Sequence, residues 1–486
     1  MANATQRTLL FLIADTGAGH RSAANAINNA LKLIEQQQQE EWHARQRARE
    51  IERNASGNVI VEKELITPAP PTYRVVIVDV FEEYSRFPLR EAVKLYGPAI
   101  RYNPKLYGEV FHLSNRVSNR DRTVSTVESL SKPLIHNGLL RLITSVQPDV
   151  IISIHPLLNH VTVRALRDLS LKIPLLTVIT DLVSIHKSWY APGVDSYVVP
   201  TDQARRLCIE RGADSKHVHL LGMPIDPKFT RPTASKEELR AQFGLKPGLP
   251  AILLVGGGDG AGGLQKAVRA ISRAHLPVQL MVVTGRNRRL YAHLQRTKSN
   301  LHVPAKIFGF VQNMPELMRA ADVLITKAGP GTICEALSCD LPLIISGYVP
   351  GQEEGNIDYV VENDVGVLAL DAPTLIHNLR LLIKPGSPDL RRRVANARRI
   401  SHPRASFDIA THILSFLPAP EKASVWQSAQ WRKRKHLMSS RLRSAIRLRR
   451  LRRHLPRPGA LLRGRVVRRL NTFRIRGFSD EDERNI

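Results

Sequence analysis

The stretch Lys327-Ala-Gly-Pro-Gly-Thr-Ile-Cys-Glu335 has the composition of an anion-binding turn. The apolar run Asp322-Val-Leu-Ile-Thr326 leads into it, and Ile333, Ala336 and Leu337 follow at helical spacing. A strand that enters a glycine-rich turn and leaves it as a helix exposes backbone N–H groups. The helix terminus adds roughly half a positive charge, which suits a phosphate. Further along, Gly351-Gln-Glu-Glu-Gly-Asn356 concentrates side chains that hydrogen-bond hydroxyls. One loop for phosphates and one for a sugar point to a nucleotide-sugar site, although either loop alone is compatible with a structural turn.

Three further constellations carry chemical potential. Asp15-Thr-Gly-Ala-Gly-His-Arg-Ser-Ala-Ala24 follows an apolar run directly, and its glycines permit a tight turn or the close approach of a ligand. His20 then opens a helix at the carboxyl edge of a sheet. A neutral imidazole there could take a proton from an attacking hydroxyl, or it could simply cap the helix. Asp181 and His155 also end apolar runs, in Ile179-Thr-Asp-Leu-Val-Ser-Ile-His186 and at His155-Pro156. Asp181 could orient His20, serve as the base itself, or cap a helix. Val255-Gly-Gly-Gly-Asp-Gly-Ala-Gly-Gly263 is dense enough in glycine to favour phosphate contact over a simple turn. It fits the dinucleotide fingerprint poorly, because the next strand ends Thr284-Gly-Arg-Asn287 with no acidic residue for a ribose. No P-loop, metal-ligand cluster or Asp-X-Asp motif accompanies these groups, so neither a metal nor a cofactor is expected.

The elements that must position these residues read as alternating strands and helices. Apolar runs fall at Leu9–Ile13, Val75–Val80, Val150–Ile154, Leu175–Ile179 and Ser196–Val199. A second series falls at Ile252–Val255, Val278–Val283, Ile307–Phe310, Val323–Ile325 and Leu343–Ser346. Short apolar runs alternating with helical patterns predict βαβ units and buried parallel sheets. Two series in a chain of 486 residues predict two doubly wound α/β domains facing a cleft, with ligands outside the carboxyl ends of the strands. The expected boundaries are 1–225 for the first domain, 226–249 for a Pro-rich linker, 250–418 for the second domain and 419–486 for a basic tail. A polar, charge-mixed insertion occupies about residues 35–70; its first part, to Arg53, reads as helix.

Composition narrows the function classes. Cys208, Cys334 and Cys339 form neither a disulfide framework nor a metal pattern and fit a reducing compartment. No apolar run reaches the roughly 20 residues of a membrane helix. Thr8-Leu-Leu-Phe-Leu-Ile-Ala14 resembles a signal-peptide core, but Asp15 follows at once, and it reads as a strand. The net charge is +28, and 18 of the 71 Lys and Arg lie between Arg432 and Arg476, a stretch without Asp or Glu. Such a chain seeks an anionic surface. Met438, Leu442, Ala445, Leu448, Leu451 and Leu455 recur every three or four residues with arginines between them, predicting a basic amphipathic helix suited to a bilayer interface. Specific nucleic-acid binding is not expected, because no aromatics interleave with the basic residues and the sugar-nucleotide loops would be left unexplained.

Taken in order, these motifs resemble the monogalactosyldiacylglycerol synthases and processive diacylglycerol glycosyltransferases. These are inverting enzymes of GT-B fold, related to the peptidoglycan GlcNAc transferase. The resemblance covers about residues 8 to 385 and includes Pro148-Asp-Val-Ile-Ile-Ser-Ile-His-Pro156, Gly222-Met-Pro224 and Gly285-Arg-Asn287 besides the loops above. Lys-Ala-Gly-Pro-Gly-Thr and Gln-Glu-Glu-Gly-Asn fit the galactolipid pattern better than the peptidoglycan one. The resemblance implies that Glu335 accepts from both ribose hydroxyls of a UDP-sugar, and that Gly329, Gly331 and Thr332 hold its diphosphate. Gly257, Gly258 and Gly260 would close the phosphates from the other side, Arg286 would join the donor site, and Phe310 and Val311 would receive uracil. Gln352, Glu353, Glu354 and Asn356 would face the hexose. His20 would be the base, with Asp181 and His155 nearby. The implied reaction transfers a hexose, galactose favoured over glucose, from UDP-hexose to diacylglycerol. The enzyme would be peripheral at an anionic lipid surface on the cytoplasmic face of the cell membrane. A peptidoglycan-type GlcNAc transfer and a UDP-N-acetylglucosamine 2-epimerase are less favoured alternatives.

Overall fold

The computed structural model describes residues 5–15, 18–56, 69–85, 90–91, 109, 121–231, 234–256, 263–418 and 425–427. The two sheets lie in one compact unit ending at Lys422. The basic tail and Gly257, Gly258 and Gly260 lie outside the described residues.

Strand β1 (Gln6–Ile13) is buried at every position after the first. A strand covered by helices on both faces needs apolar side chains on both, hence the unbroken Leu-Leu-Phe-Leu-Ile run. It pairs in parallel with β2 (Thr72–Asp79) on one side, placing Ile13 opposite Asp79, and with β3 (Val150–Ser153) on the other. β4 (Leu175–Val178), β5 (Ser196–Val199) and β6 (Val218–Leu220) complete the sheet in the order β2-β1-β3-β4-β5-β6. The second sheet comprises β7 (Ala251–Val255), β8 (Gln279–Val283), β9 (Ala305–Phe308), β10 (Val323–Lys327), β11 (Leu343–Gly347) and β12 (Gly366–Leu368). Its order is β12-β11-β10-β7-β8-β9, so the direction of winding reverses between β7 and β10. Ligands of such sheets bind where the winding reverses. The three-residue edge strands β6 and β12 had no counterpart among the expected strands, because three residues are too few to show a period.

Helix α1 (Ala18–Ser56) buries Ala23, Ala24, Ile27, Ala30 and Leu31 against the first sheet. Beyond Leu31 it runs on as the polar insertion. Gln36 donates to Glu40 at 2.8 Å and Gln37 to Glu41 at 2.9 Å, and Arg45 pairs with Glu41 at 3.4 Å. Each such i,i+4 pair contributes only about 0.2–0.5 kcal/mol, but together they support a helical face with no core to pack on.

The domain boundaries differ from those expected at two places. Phe229, Leu239 and Leu245, within the expected linker 226–249, are buried in the second domain's core. Ser235 and Glu238 form a capping box that starts the helix Lys236–Gln242. Asp322 anchors this segment through Lys236 at 2.8 Å and Arg240 at 2.5 Å, and also accepts from the Ala251 amide at 2.8 Å. Conversely, the helix Ala405–Leu414, expected within the second domain, packs Ala405, Ile409, Ala410 and Ile413 against Leu9, Phe11 and Ile27 of the first. Burying the two isoleucines stabilises this return by about 1.5–3 kcal/mol each. Gly222 (φ +90°) makes the return possible, since a Cβ there would stand 2.4 Å from His402 Cβ.

Candidate active site

In the first domain the site forms where β1, β2 and β3 end. His20, in the first turn of α1, packs edge-on against His155 with ring centroids 4.9 Å apart, and Phe81 backs His155 at 5.5 Å. Burial pushes the His20 imidazole down to about 4, against the opposing pull of the Ala14 backbone, Asp15 and Asp79. The ring is therefore neutral near pH 7. Its Nδ1 is buried with no hydrogen-bond partner. His155 is also held neutral, by burial and then by His20, and its Nδ1 accepts from the Leu157 amide at 3.3 Å.

Asp181 does not orient His20. Its Oδ2 accepts from the Trp189 indole at 2.6 Å, and its charged neighbour is Arg211. Burial raises it to about 6. The carboxylates that His20 feels are Asp15 and Asp79. Asp79 accepts from the Asp15 amide at 2.8 Å and the Glu82 amide at 3.0 Å, and Asp15 pairs with Arg21 at 2.6 Å. Sequence reasoning missed Asp79; the available signal was its place at the carboxyl end of the expected strand Val75–Val80.

In the second domain, Gly329 caps the helix Pro330–Leu337 at the carboxyl end of β10. Pro330 has no N–H, so the Gly331 and Thr332 amides are the turn's donors without an intrahelical acceptor. No atom outside its neighbours comes within 4 Å of a Cβ built on Gly331, leaving space for a ligand against the backbone. Glu335 lies half-buried on the same helix. Desolvation raises it to about 7, partly offset by Lys228, while Asp226 pushes it further up. Neither neighbour was named from the sequence. Both sit at a 3-10 turn, Pro227–Phe229, where Asp226 accepts from Asn29 of α1 at 3.2 Å and Lys228 donates to the Gln312 carbonyl at 2.9 Å. Helix α1 also packs against Pro330–Leu337, so the element that opens with His20 contacts the helix carrying Glu335.

β8 and β9 bring Arg286 and Phe310 together, with the guanidinium 5.4 Å from the ring centroid. With Gly285, Arg288, Tyr291 and Gly309 they line a hollow of about 530 Å³. Phe310 is 63% exposed, an open face for a planar ring, whereas Val311 packs against the core below. The 352–356 loop divides similarly. Gln352 and Glu354 are half-buried. Glu353 and Asn356 are buried and tie this loop to the turn after β10: Glu353 pairs with Lys327 and accepts from the Val349 amide at 2.9 Å, and Asn356 donates to the Ala328 carbonyl at 2.9 Å. Gly355 touches the first domain, since a Cβ there would stand 2.4 Å from Ser184 Oγ and 3.2 Å from Val183 Cβ.

Two Rossmann-like domains, each a parallel six-stranded sheet with a helix opening at its carboxyl edge, have the GT-B architecture of glycosyltransferases. In overall fold the chain is similar to the crystal structure of MurG from Acinetobacter baumannii, with a TM-score of 0.52 at 13% identity over 84% of this chain and 99% of that one. Residues 60–225 match the family model for monogalactosyldiacylglycerol synthase, and residues 251–401 match that for the glycosyltransferase family 28 C-terminal domain. A probable monogalactosyldiacylglycerol synthase 2 of Oryza sativa subsp. japonica is 33% identical over 84% of this chain and 81% of its own length. Monogalactosyldiacylglycerol synthase 3 of Arabidopsis thaliana is 32% identical over the same shares. Both are named as chloroplastic. The chain belongs to the monogalactosyldiacylglycerol synthase family and is an enzyme, a glycosyltransferase.

Proposed function

We propose that this glycosyltransferase moves a hexose, galactose in preference to glucose, from a UDP-sugar to diacylglycerol, inverting the anomeric centre in one displacement. The observations that carry the reading are a neutral His20 whose Nδ1 has no partner and, at the end of β10, a proline-started helix whose Gly331 and Thr332 amides lack intrahelical acceptors. The acceptor is an alcohol whose pKa lies far above neutrality, so its proton must leave as it attacks, and His20 Nδ1 takes it. The anomeric C–O bond breaks with its electrons passing to the β-phosphate oxygen, and the Gly331 and Thr332 amides and the helix terminus stabilise that charge. Glu335 holds the ribose, Phe310 stacks on uracil with Arg286 beside it, and Gln352 and Glu354 read the hexose. This scheme needs no metal.

The choice of galactose and diacylglycerol follows the relatives' names. Such an acceptor places the enzyme at a lipid surface as a peripheral protein, proposed to be the cytoplasmic face of the cell membrane. No helix among the described residues is long and apolar enough to cross a membrane. The test is incubation with radiolabelled UDP-galactose or UDP-glucose and dispersed diacylglycerol, then lipid extraction and assignment of the anomer, with and without chelator. A labelled β-galactolipid formed despite chelator supports the reading. Label released only as free sugar would overturn it.

A further inference from the structure

Lys327 has no part in the scheme above, yet it stands at the centre of the donor half. It is the last residue of β10, beside the point where the second sheet reverses its winding. The β10–β11 register shifts between Thr326 and Lys327, an irregularity of the kind that re-aims a side chain. Its ammonium lies 3.2 Å from where a Cβ on Gly329 would be, at the cap of the phosphate helix. A Cβ at position 329 would press on this ammonium, while the φ of Gly329, −73°, is ordinary. The partner of Lys327 is Glu353, buried to 6% exposure, whereas the lysine side chain keeps 26%.

Resting on the UDP-sugar reading, we propose that Lys327 binds the donor's diphosphate directly while it continues to hold Glu353. An ammonium has three N–H donors, enough for one carboxylate and a phosphate oxygen together. A dianionic ligand arriving beside Gly331 and Thr332 meets a half-buried ammonium whose position a buried carboxylate has already fixed. As the anomeric C–O bond breaks, the new charge on the β-phosphate oxygen falls next to this ammonium. Because Glu353 opens the helix Glu354–Glu362, the same lysine couples occupation of the phosphate turn to the placement of the sugar loop.

The alternative is that the pair is purely structural, and a double substitution separates the two. Lys327→Met alone leaves Glu353 buried and unpaired, and it is expected to lower both stability and activity whichever account holds. In Lys327→Met/Glu353→Gln no unpaired charge remains, so the melting temperature should return towards that of the unaltered protein. Under the proposal the double variant binds UDP about 10- to 100-fold more weakly, the range for a hydrogen bond to a charged group. Its binding of uridine, which lacks phosphate, is unchanged, and its kcat stays about 10²-fold down. Lys327→Arg, which keeps the charge, recovers much of the UDP affinity. A folded double variant with unaltered UDP affinity and kcat would overturn the proposal. Failure of the unaltered enzyme to bind UDP at all would instead refute the donor reading, so the two failures are distinguishable.

Discussion

Glu335 offers the sharpest quantitative test of the donor site. Its carboxyl is raised to about 7, against an ordinary 4.5, chiefly by desolvation. Two vicinal ribose hydroxyls donate more strongly to the ionised form, because a charged acceptor makes the stronger hydrogen bonds and a protonated carboxyl carries a hydrogen on one oxygen. UDP binding therefore selects the carboxylate. At pH 8 most of the population is ionised, at pH 7 about half, and at pH 6 about a tenth. The sign follows: affinity is highest above pH 7 and weakens as pH falls, approaching tenfold per unit, while binding near pH 6 releases close to one proton. Glu335→Gln should weaken UDP binding at pH 8 by about 1.5–3 kcal/mol and remove this component of the slope. Titration calorimetry at pH 6, 7 and 8, in buffers of different ionisation enthalpy, reads affinity and proton release together. The phosphate of UDP also titrates near pH 6, so the informative quantity is the difference between the unaltered enzyme and Glu335→Gln. Equal affinities and equal proton release in the two proteins would refute the assignment of Glu335 to the ribose.

Four further outcomes are expected. His20→Ala should reduce kcat by about 10²–10⁴ with UDP affinity retained; near-normal turnover in a steady-state assay would move the base elsewhere, to His155 or Asp181. Gly355→Ala should destabilise the fold by about 1–3 kcal/mol through its clash with the Ser184 loop, and Ser184→Gly in the same chain should recover part of that on thermal melting. His20, His186 and His412 are all pushed down to about 4, first of all by burial. Below about pH 6.5 the unfolded chain takes up protons that these folded sites refuse, so stability is complete above that pH and declines towards pH 4; His412→Gln should flatten the dependence of melting temperature on pH. Removal of the residues after Ala419 should reduce sedimentation with phosphatidylglycerol vesicles, leaving transfer to a detergent-dispersed acceptor intact, and equal sedimentation of the truncated chain would locate the anchor elsewhere.

Much of the architecture was determined locally. Unbroken runs such as Leu9–Ile13 and Ile252–Val255 satisfy only strands covered on both faces, and the helices between them dictate parallel sheets. The turn from Lys327 to Glu335 was legible for the same reason, because a strand, a glycine turn and a proline-started helix are contiguous in the chain. His20 and His155 could each be placed at a strand end, but their contact at 4.9 Å depends on β1 and β3 being sheet neighbours. Interactions between segments far apart in the chain were decided only by the tertiary structure. Strand order put Asp79 rather than Asp181 beside His20, and the packing of the turn Pro227–Phe229 placed Asp226 and Lys228 against Glu335. It also separated the 352–356 loop into two buried anchors, Glu353 and Asn356, and two half-buried residues, Gln352 and Glu354, which composition could not distinguish. Helix Ala405–Leu414 returned to the first sheet because its apolar face found Leu9, Phe11 and Ile27 there, a fit of shape and burial that no local pattern encodes.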